Sequence, residues 1–363
     1  MELLPFSDYA KKEMEAVSAR LSQKPPHGLR FAFLTDLHYK FITEMRQSLS
    51  NIIHTLNALH ETDAIDFLCL GGDNVGNYPN SREEHIAMMQ ELADLLKNAK
   101  MPVICVQGNH DDNSIHCAIE NTHTCRTGFE VPDDIQHDIL FTLASGCEHY
   151  HPADNKALYG YLDIPHADTR VVFLNSSNVP YILDGDIMRY NQQWDFGYTG
   201  KQLDWLANTA LKNAPKNVFF IEHSPFETER TGSEPKENED ALNAITKVFA
   251  NGEILHITRE HADFGYDIKA DFSGEKHNVP ARIGGHCHFD SCGIDPCGFF
   301  SITTMLGGRK NSGMHVGDDG VMYPRERYTE TETSVDIFTF DPDEYTLIST
   351  RYGSGVDRNF KIQ

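Results

Sequence analysis

Residues 29–38 read LRFAFLTDLH. Apolar side chains run without polar alternation and stop at Asp36 and His38, as in a strand buried on both faces. The segments 67–70 and 103–106 repeat the pattern, one running into Gly72-Asp73 and the other into Gly108-Asn109-His110-Asp111. Between the three lie stretches of helical periodicity, 45–60 and 82–97. The alternation β-α-β-α-β predicts a parallel sheet in the first third of the chain. Asp36, Asp73 and Asn109 then fall just past the carboxyl ends of their strands, the edge where open α/β sheets hold ligands.

Further along, strands are expected at 158–162 and 170–174, a capped helix at 199–211, and a buried strand at 218–221 that delivers Glu222-His223. The run 281–283 leads into Gly285-His286-Cys287-His288, and 301–305, 335–340 and 346–349 read as strands closing a second sheet. Three stretches interrupt this order as insertions, at about 112–153, 179–198 and 224–278, the last carrying a mostly acidic run and a helical piece at 241–249. The domain reading is a helical extension over 1–28 followed by one domain over 29–363.

Composition narrows the classes of partner. A formal charge of −23 repels polyanions and anionic headgroups, and no basic patch offsets it, so a nucleic-acid polymer is disfavoured. No apolar stretch approaches the roughly 20 residues that cross a bilayer, and the first 23 residues lack the basic-then-apolar order of a signal peptide. Eight cysteines form no spaced framework, and Cys69 and Cys105 sit in apolar runs, which suggests a reducing, cytoplasmic setting. Cys287, Cys292 and Cys297 lack the paired spacing of a zinc site and read as incidental thiols.

The polar clusters supply two carboxylates, one carboxamide and four imidazoles able to ligate metal, plus one spare His-Asp pair. Two cations about 3.5–4 Å apart need a bridging anion, and Asp73 is the candidate. If the backbone stays extended, the one-residue gaps in Asp36-Leu37-His38 and His286-Cys287-His288 put each pair of side chains on one side. Gly72, Gly108 and Gly285 are expected where a side chain would obstruct close backbone approach. Oxygen and nitrogen donors without thiolate suit two divalent transition metal ions, manganese, iron, zinc or nickel.

This ordered set, DxH, GD, GNHD, a lone His and GHxH, resembles the calcineurin-like metallophosphoesterase family from Asp36 to His288. The resemblance implies an α/β fold, a four-layer αββα sandwich of two mixed sheets flanked by helices. It implies one metal on Asp36, His38, Asp73 and His288, and a second on Asp73, Asn109, His223 and His286. His110 would be the catalytic histidine beside the phosphate, with Asp111 supporting its imidazole, and the reaction would be in-line attack by metal-bound hydroxide on a small phosphodiester or nucleotide. Asp73 is followed by Asn74-Val75-Gly76-Asn77, unlike the Val-Asp-Arg-Gly stretch of the protein Ser/Thr phosphatases. Tyr78 lies at the wrong offset for a purple acid phosphatase, which also lacks a residue equivalent to His38. Gly200 to Leu206 and Asn175-Ser176 are similar to the cytosolic bacterial and fungal branch related to those enzymes.

Trp194, Tyr198, His151, His123 and Arg126 are the candidates to contact substrate, on insertions expected to emerge beside the metals. A phosphomonoester is the alternative substrate. The rivals are a non-catalytic scaffold of this fold that binds protein partners, and a nuclease, which would need a basic channel.

Overall fold

Two six-stranded sheets lie face to face at the centre of the molecule. The computed structural model describes residues 1–24, 28–40, 42–76, 81–119, 124–144, 156–229, 231, 235–308 and 315–362. In the first sheet the spatial order is Arg358–Phe360, Thr346–Gly353, Ser334–Asp341, Leu29–Leu34, Phe67–Leu70 and Val103–Cys105. The last three run parallel, as the βαβ reading requires, and the C-terminal three are antiparallel to their neighbours. The second sheet runs Ser291–Ile294, Phe300–Thr303, Arg282–Gly284, Asn217–Ile221, Thr169–Phe173 and Gly160–Ile164. Its four inner strands are parallel.

One expectation is corrected here. The C-terminal strands extend the first sheet, and of the runs expected to close the second only Phe300–Thr303 joins it. The reason lies in Leu29–Leu34, buried throughout, which needs a hydrogen-bonded neighbour on each side. Phe67–Leu70 supplies one, and Ser334–Asp341 the other, with Phe31 opposite Phe338.

Period-two alternation builds the layers. In the second sheet Val171, Phe173, Phe219 and Ile221 join the core shared with the first sheet, while Val172, Leu174, Val218 and Phe220 join a separate outer core. Phe219 meets Phe340 edge-on at 5.1 Å between the sheets. Thr43–His60 and Arg82–Leu96 cover the first sheet with Ile52, Leu56, Met88 and Leu92. Gly200–Trp205, continued by a π turn at Leu206–Ala210, and Glu239–Asn251 cover the second with Leu203, Leu242, Ile245 and Phe249. The result is the αββα sandwich.

The first helix, Asp8–Ser22, is built into this body. Val17 and Leu21 enter the central core, and Arg20 donates to the Arg351 carbonyl at 2.7 Å and to Asp357 at 2.8 Å. The third insertion also contains an antiparallel hairpin, Ile254–Arg259 with Tyr266–Asp271, that its acidic composition concealed. Among the described residues no helix is long and apolar enough to cross a membrane.

Candidate dimetal centre

Because the inner strands of each sheet are parallel, their carboxyl ends gather at one edge, and each end is followed by polar residues. Asp36 and His38 follow Leu29–Leu34, Asp73 follows Phe67–Leu70, and Asn109 follows Val103–Cys105. From the second sheet come His223 after Asn217–Ile221, and His286 and His288 after Arg282–Gly284. The ligand atoms of Asp36, His38, Asp73 and His288 all lie within 4.8 Å of one another, and so do those of Asp73, His223 and His286. Asp73 belongs to both groups. Asn109 completes the second, with Oδ1 at 3.2 Å from His223 Nε2 and 3.0 Å from His286 Nδ1.

The backbone here is not extended. Asp36 (φ 53°), His38 (φ 46°), Asp73 (φ 51°), His286 (φ 63°) and His288 (φ 63°) are all left-handed, which corrects the simple alternation expected of both one-residue gaps. Each such residue costs about 1–3 kcal/mol and persists only when its surroundings over-determine it. The surroundings do so. Asp36 N–H donates to the Gly72 carbonyl at 2.9 Å, His38 N–H to the Asp73 carbonyl at 2.8 Å, and Gly308 N–H to the Asp36 carbonyl at 3.2 Å. The glycines allow the approach. A Cβ on Gly108 would lie 1.9 Å from the Asp73 nitrogen, one on Gly285 2.0 Å from Thr35 Oγ1, and one on Gly72 2.4 Å from the His223 ring.

The electrostatics call for added positive charge. His223 Nδ1 faces the Gly71 carbonyl at 2.9 Å and is therefore the protonated nitrogen, leaving Nε2 toward Asp73 Oδ1 and Asn109 Oδ1, both at 3.2 Å. Burial disfavours charge on this ring, yet Asp73 and Asp36 outweigh it and push His223 up to about 10. Burial likewise opposes ionisation of Asp73, but His223, His110 and His38 hold its carboxyl well below the usual carboxylate range. Burial drives His38 down to about 3. Its Nε2 lies 3.2 Å from His288 Nε2, two imidazole nitrogens turned toward one point. Asp36 Oδ1 and Asp73 Oδ2 are buried oxygens with no hydrogen-bond donor among the described residues. Cations held by these atoms would satisfy them.

His110 stands beside the centre, Nε2 at 3.6 Å from Asp73 Oδ2, its ring edge-on to His38 at 5.2 Å. Asp111 does not support that ring. Its carboxylate accepts from Asn74 Nδ2 at 2.9 Å and from the backbone N–H of Gly108 at 2.7 Å and Val75 at 3.1 Å, which fixes the turn carrying Asn109. Burial and the Asp73 charge push Asp111 up to about 7.

The expected substrate contacts divide. Trp194 lines a cleft of about 940 Å³ that ends on Asn109, His110 and His286. Tyr198 is fully buried in the outer core, donating its hydroxyl to Glu222. Arg126 is exposed and pairs with Asp186 at 3.4 Å. Tyr78, His123 and His151 lie outside the described residues. The sequence reading missed Gln193, whose carbonyl accepts from Asn109 Nδ2 at 3.2 Å and so turns Oδ1 toward the imidazoles. It also missed Phe196, edge-on to His286 at 5.6 Å. The run Asn191-Gln192-Gln193, amides in need of partners, was the available signal.

Residues 29–290 match the family model for calcineurin-like phosphoesterases. The chain belongs to the calcineurin-like phosphoesterase family. As such it is a metal-dependent phosphoric ester hydrolase with a dimetal-type centre. Among solved structures this phosphoesterase is similar to a dimetal phosphatase from Danio rerio, at 13% identity and a TM-score of 0.57, over 93% of this chain and 100% of that one. A Haemophilus influenzae NAD nucleotidase aligns at 9% identity and a TM-score of 0.40, over 92% of this chain and 49% of that one. The first likeness is one of fold. No curated protein matches the sequence.

Proposed function

We propose that this phosphoesterase hydrolyses a small phosphodiester by in-line displacement at phosphorus. Asp36, His38, Asp73 and His288 would hold one divalent cation and Asp73, Asn109, His223 and His286 the other, with manganese, iron, zinc or nickel suiting the donors. The observation that carries this reading is the buried edge where the nitrogens and oxygens of both groups converge, with Asp36 Oδ1 and Asp73 Oδ2 lacking a hydrogen-bond donor among the described residues. Two divalent cations supply Lewis acidity and lower the pKa of a bound water to about 7.

The chain's own groups do the rest. Asp73 belongs to both ligand groups, and its turn is tied to that of Asn109 by the His110 N–H donating to Oδ1 at 2.9 Å. The attacking water gives up a proton to solvent as its oxygen bonds to phosphorus, the bond from phosphorus to the leaving oxygen breaks, and His110 donates a proton to that oxygen and regains one from solvent. Room on both sides of the centre favours a diester. His38 lines a cavity of about 320 Å³ with Lys40 and Arg327, while Asn109, His110 and His286 end the larger cleft. Loops from the expected insertions wall that cleft with Val179, Trp194, Lys236 and Arg259. The charge of −23 argues for a compact substrate rather than a nucleic acid. Cys69 and Cys117, buried thiols outside any disulfide, support a cytoplasmic setting.

Manganese-loaded protein offered bis(p-nitrophenyl) phosphate and p-nitrophenyl phosphate tests this. Two equivalents of metal and at least about tenfold faster turnover of the diester are expected. Faster monoester turnover would overturn the diester preference. Two bound metals with turnover of neither would overturn the reading whole.

A further inference from the structure

Asn109 can face the second cation site with either of two atoms. Its carboxamide oxygen is a ligand and its nitrogen is not, yet the two are nearly equal in size, so a half-turn of the amide would put an NH2 where Oδ1 now lies. The contact that decides between them is Nδ2 donating to the Gln193 carbonyl at 3.2 Å. Gln193 is itself pinned twice. Its N–H donates to Asn191 Oδ1 at 2.8 Å and to Ser114 Oγ at 3.2 Å, and the Ser114 hydroxyl donates to that same Asn191 oxygen at 2.9 Å. Asn191 is tied on every side. Its Nδ2 donates to the Ser114 carbonyl at 3.4 Å and its N–H to Asp195 Oδ2 at 2.6 Å, while its carbonyl accepts from the N–H groups of Trp194 at 3.1 Å and Asp195 at 2.7 Å. Asn191 is 2% exposed and Ser114 fully buried, so these bonds are shielded from bulk water.

Ser114 follows Asn109 on the same segment of chain, so the bonds close a ring. It runs from Asn109 to Gln193, from Gln193 to Asn191 and Ser114, and from Ser114 back along the backbone to Asn109. A closed ring fixes the Gln193 carbonyl relative to Asn109 itself, independently of the rest of the loop that carries it. The first cation site lies outside this ring. Among the described residues no hydrogen bond ties the 191–195 turn to Asp36, His38 or His288, the ligands that belong to the first group alone. We infer that Asn191 and Ser114 are positioning residues for the second cation alone, holding the Gln193 carbonyl where it keeps Asn109 Oδ1 turned to the metal edge. The role rests on the ligand assignment proposed for Asn109, and it is read from cation binding instead of turnover.

Calorimetric titration of the metal-free protein with manganese(II) separates the two binding events. Asn191→Leu, close in size but without polar side-chain atoms, should weaken one event by about 10–100-fold and leave the other unchanged. Asn191→Asp keeps an oxygen for the Gln193 N–H and the Ser114 hydroxyl, and should retain both events. Ser114→Ala removes one of the two acceptors and should fall between; if Asn191→Leu does not fold, Ser114→Ala decides on the same reading. Asn109→Ala should weaken the same event, and adding Asn191→Leu to it should cost nothing more, because the turn acts through Asn109. Full affinity in Asn191→Leu, equal weakening of both events, an Asn191→Asp variant as weak as Asn191→Leu, or losses that add in the Asn109→Ala pair would each overturn the inference and leave the hydrolase reading intact. A second event missing from the unsubstituted protein would overturn the dimetal reading and the positioning role with it.

Discussion

Two regions of this protein bury clustered carboxylates, and they resolve the charge in opposite ways. Between the C-terminal strands and the loop after His288, both Asp290 oxygens accept from Arg351 Nη2 at 2.9 Å, Oδ1 also accepts from the Met305 N–H at 2.9 Å, and Arg358 lies 3.5 Å away. Asp336 in the same cluster is 3.2 Å from each of the two guanidinium groups. Opposite charges meet there, and both carboxylates are paired within the chain. At the strand tips, Asp36 and Asp73 are as deeply buried, but the neighbours that crowd them are imidazoles and a carboxamide. A guanidinium would close that edge permanently, whereas imidazole yields its lone pair to a cation and leaves positions for water and substrate. The same burial that makes one region structural makes the other reactive.

Removing the shared carboxylate should break this contrast most sharply. Asp73→Asn is expected to lower metal affinity by more than about 100-fold, beyond the roughly 10–100-fold that groups one step further from the metal already cost, and to abolish turnover. Metal analysis after dialysis checks it. His110→Ala should cost about 10²–10⁴ in kcat with both metals retained, since His110 is placed to move a proton and not to ligate. Full turnover in that variant would remove His110 from the chemistry. On the other side, Arg351→Met leaves Asp290 and Asp336 in direct contact with Arg358 alone and should destabilise the fold by about 3–5 kcal/mol in urea unfolding, with metal content of the folded fraction unchanged. A loss of metal as large as the loss of stability would show that the two regions are not separate.

Much of the metal edge was legible because its signals are local. Apolar runs ending at Gly72-Asp73 or Gly108-Asn109 mark strand tips wherever the strands later pair, and a glycine before a polar residue announces close approach. What escaped depends on distant partners. Nothing near Val335 says that its strand pairs with Leu29–Leu34 some three hundred residues earlier. The left-handed backbone at Asp36 and His38 is imposed by hydrogen bonds to the turn at 72–73, so residue type could not reveal it. Tyr198 looked like a pocket residue because the strand Phe196–Gly197 beside it is only two residues long, too short to read as the edge of a buried core. Asp111 follows His110 in the chain, but the turn points the two side chains apart.

The account depends most on one carboxylate serving two cations at once. Electron paramagnetic resonance of protein carrying two equivalents of manganese(II) reads that directly, since ions sharing a bridging ligand are exchange-coupled. A coupled multiline spectrum that disappears in Asp73→Asn is predicted. Two superimposed six-line spectra of isolated manganese, unchanged by that substitution, would contradict it.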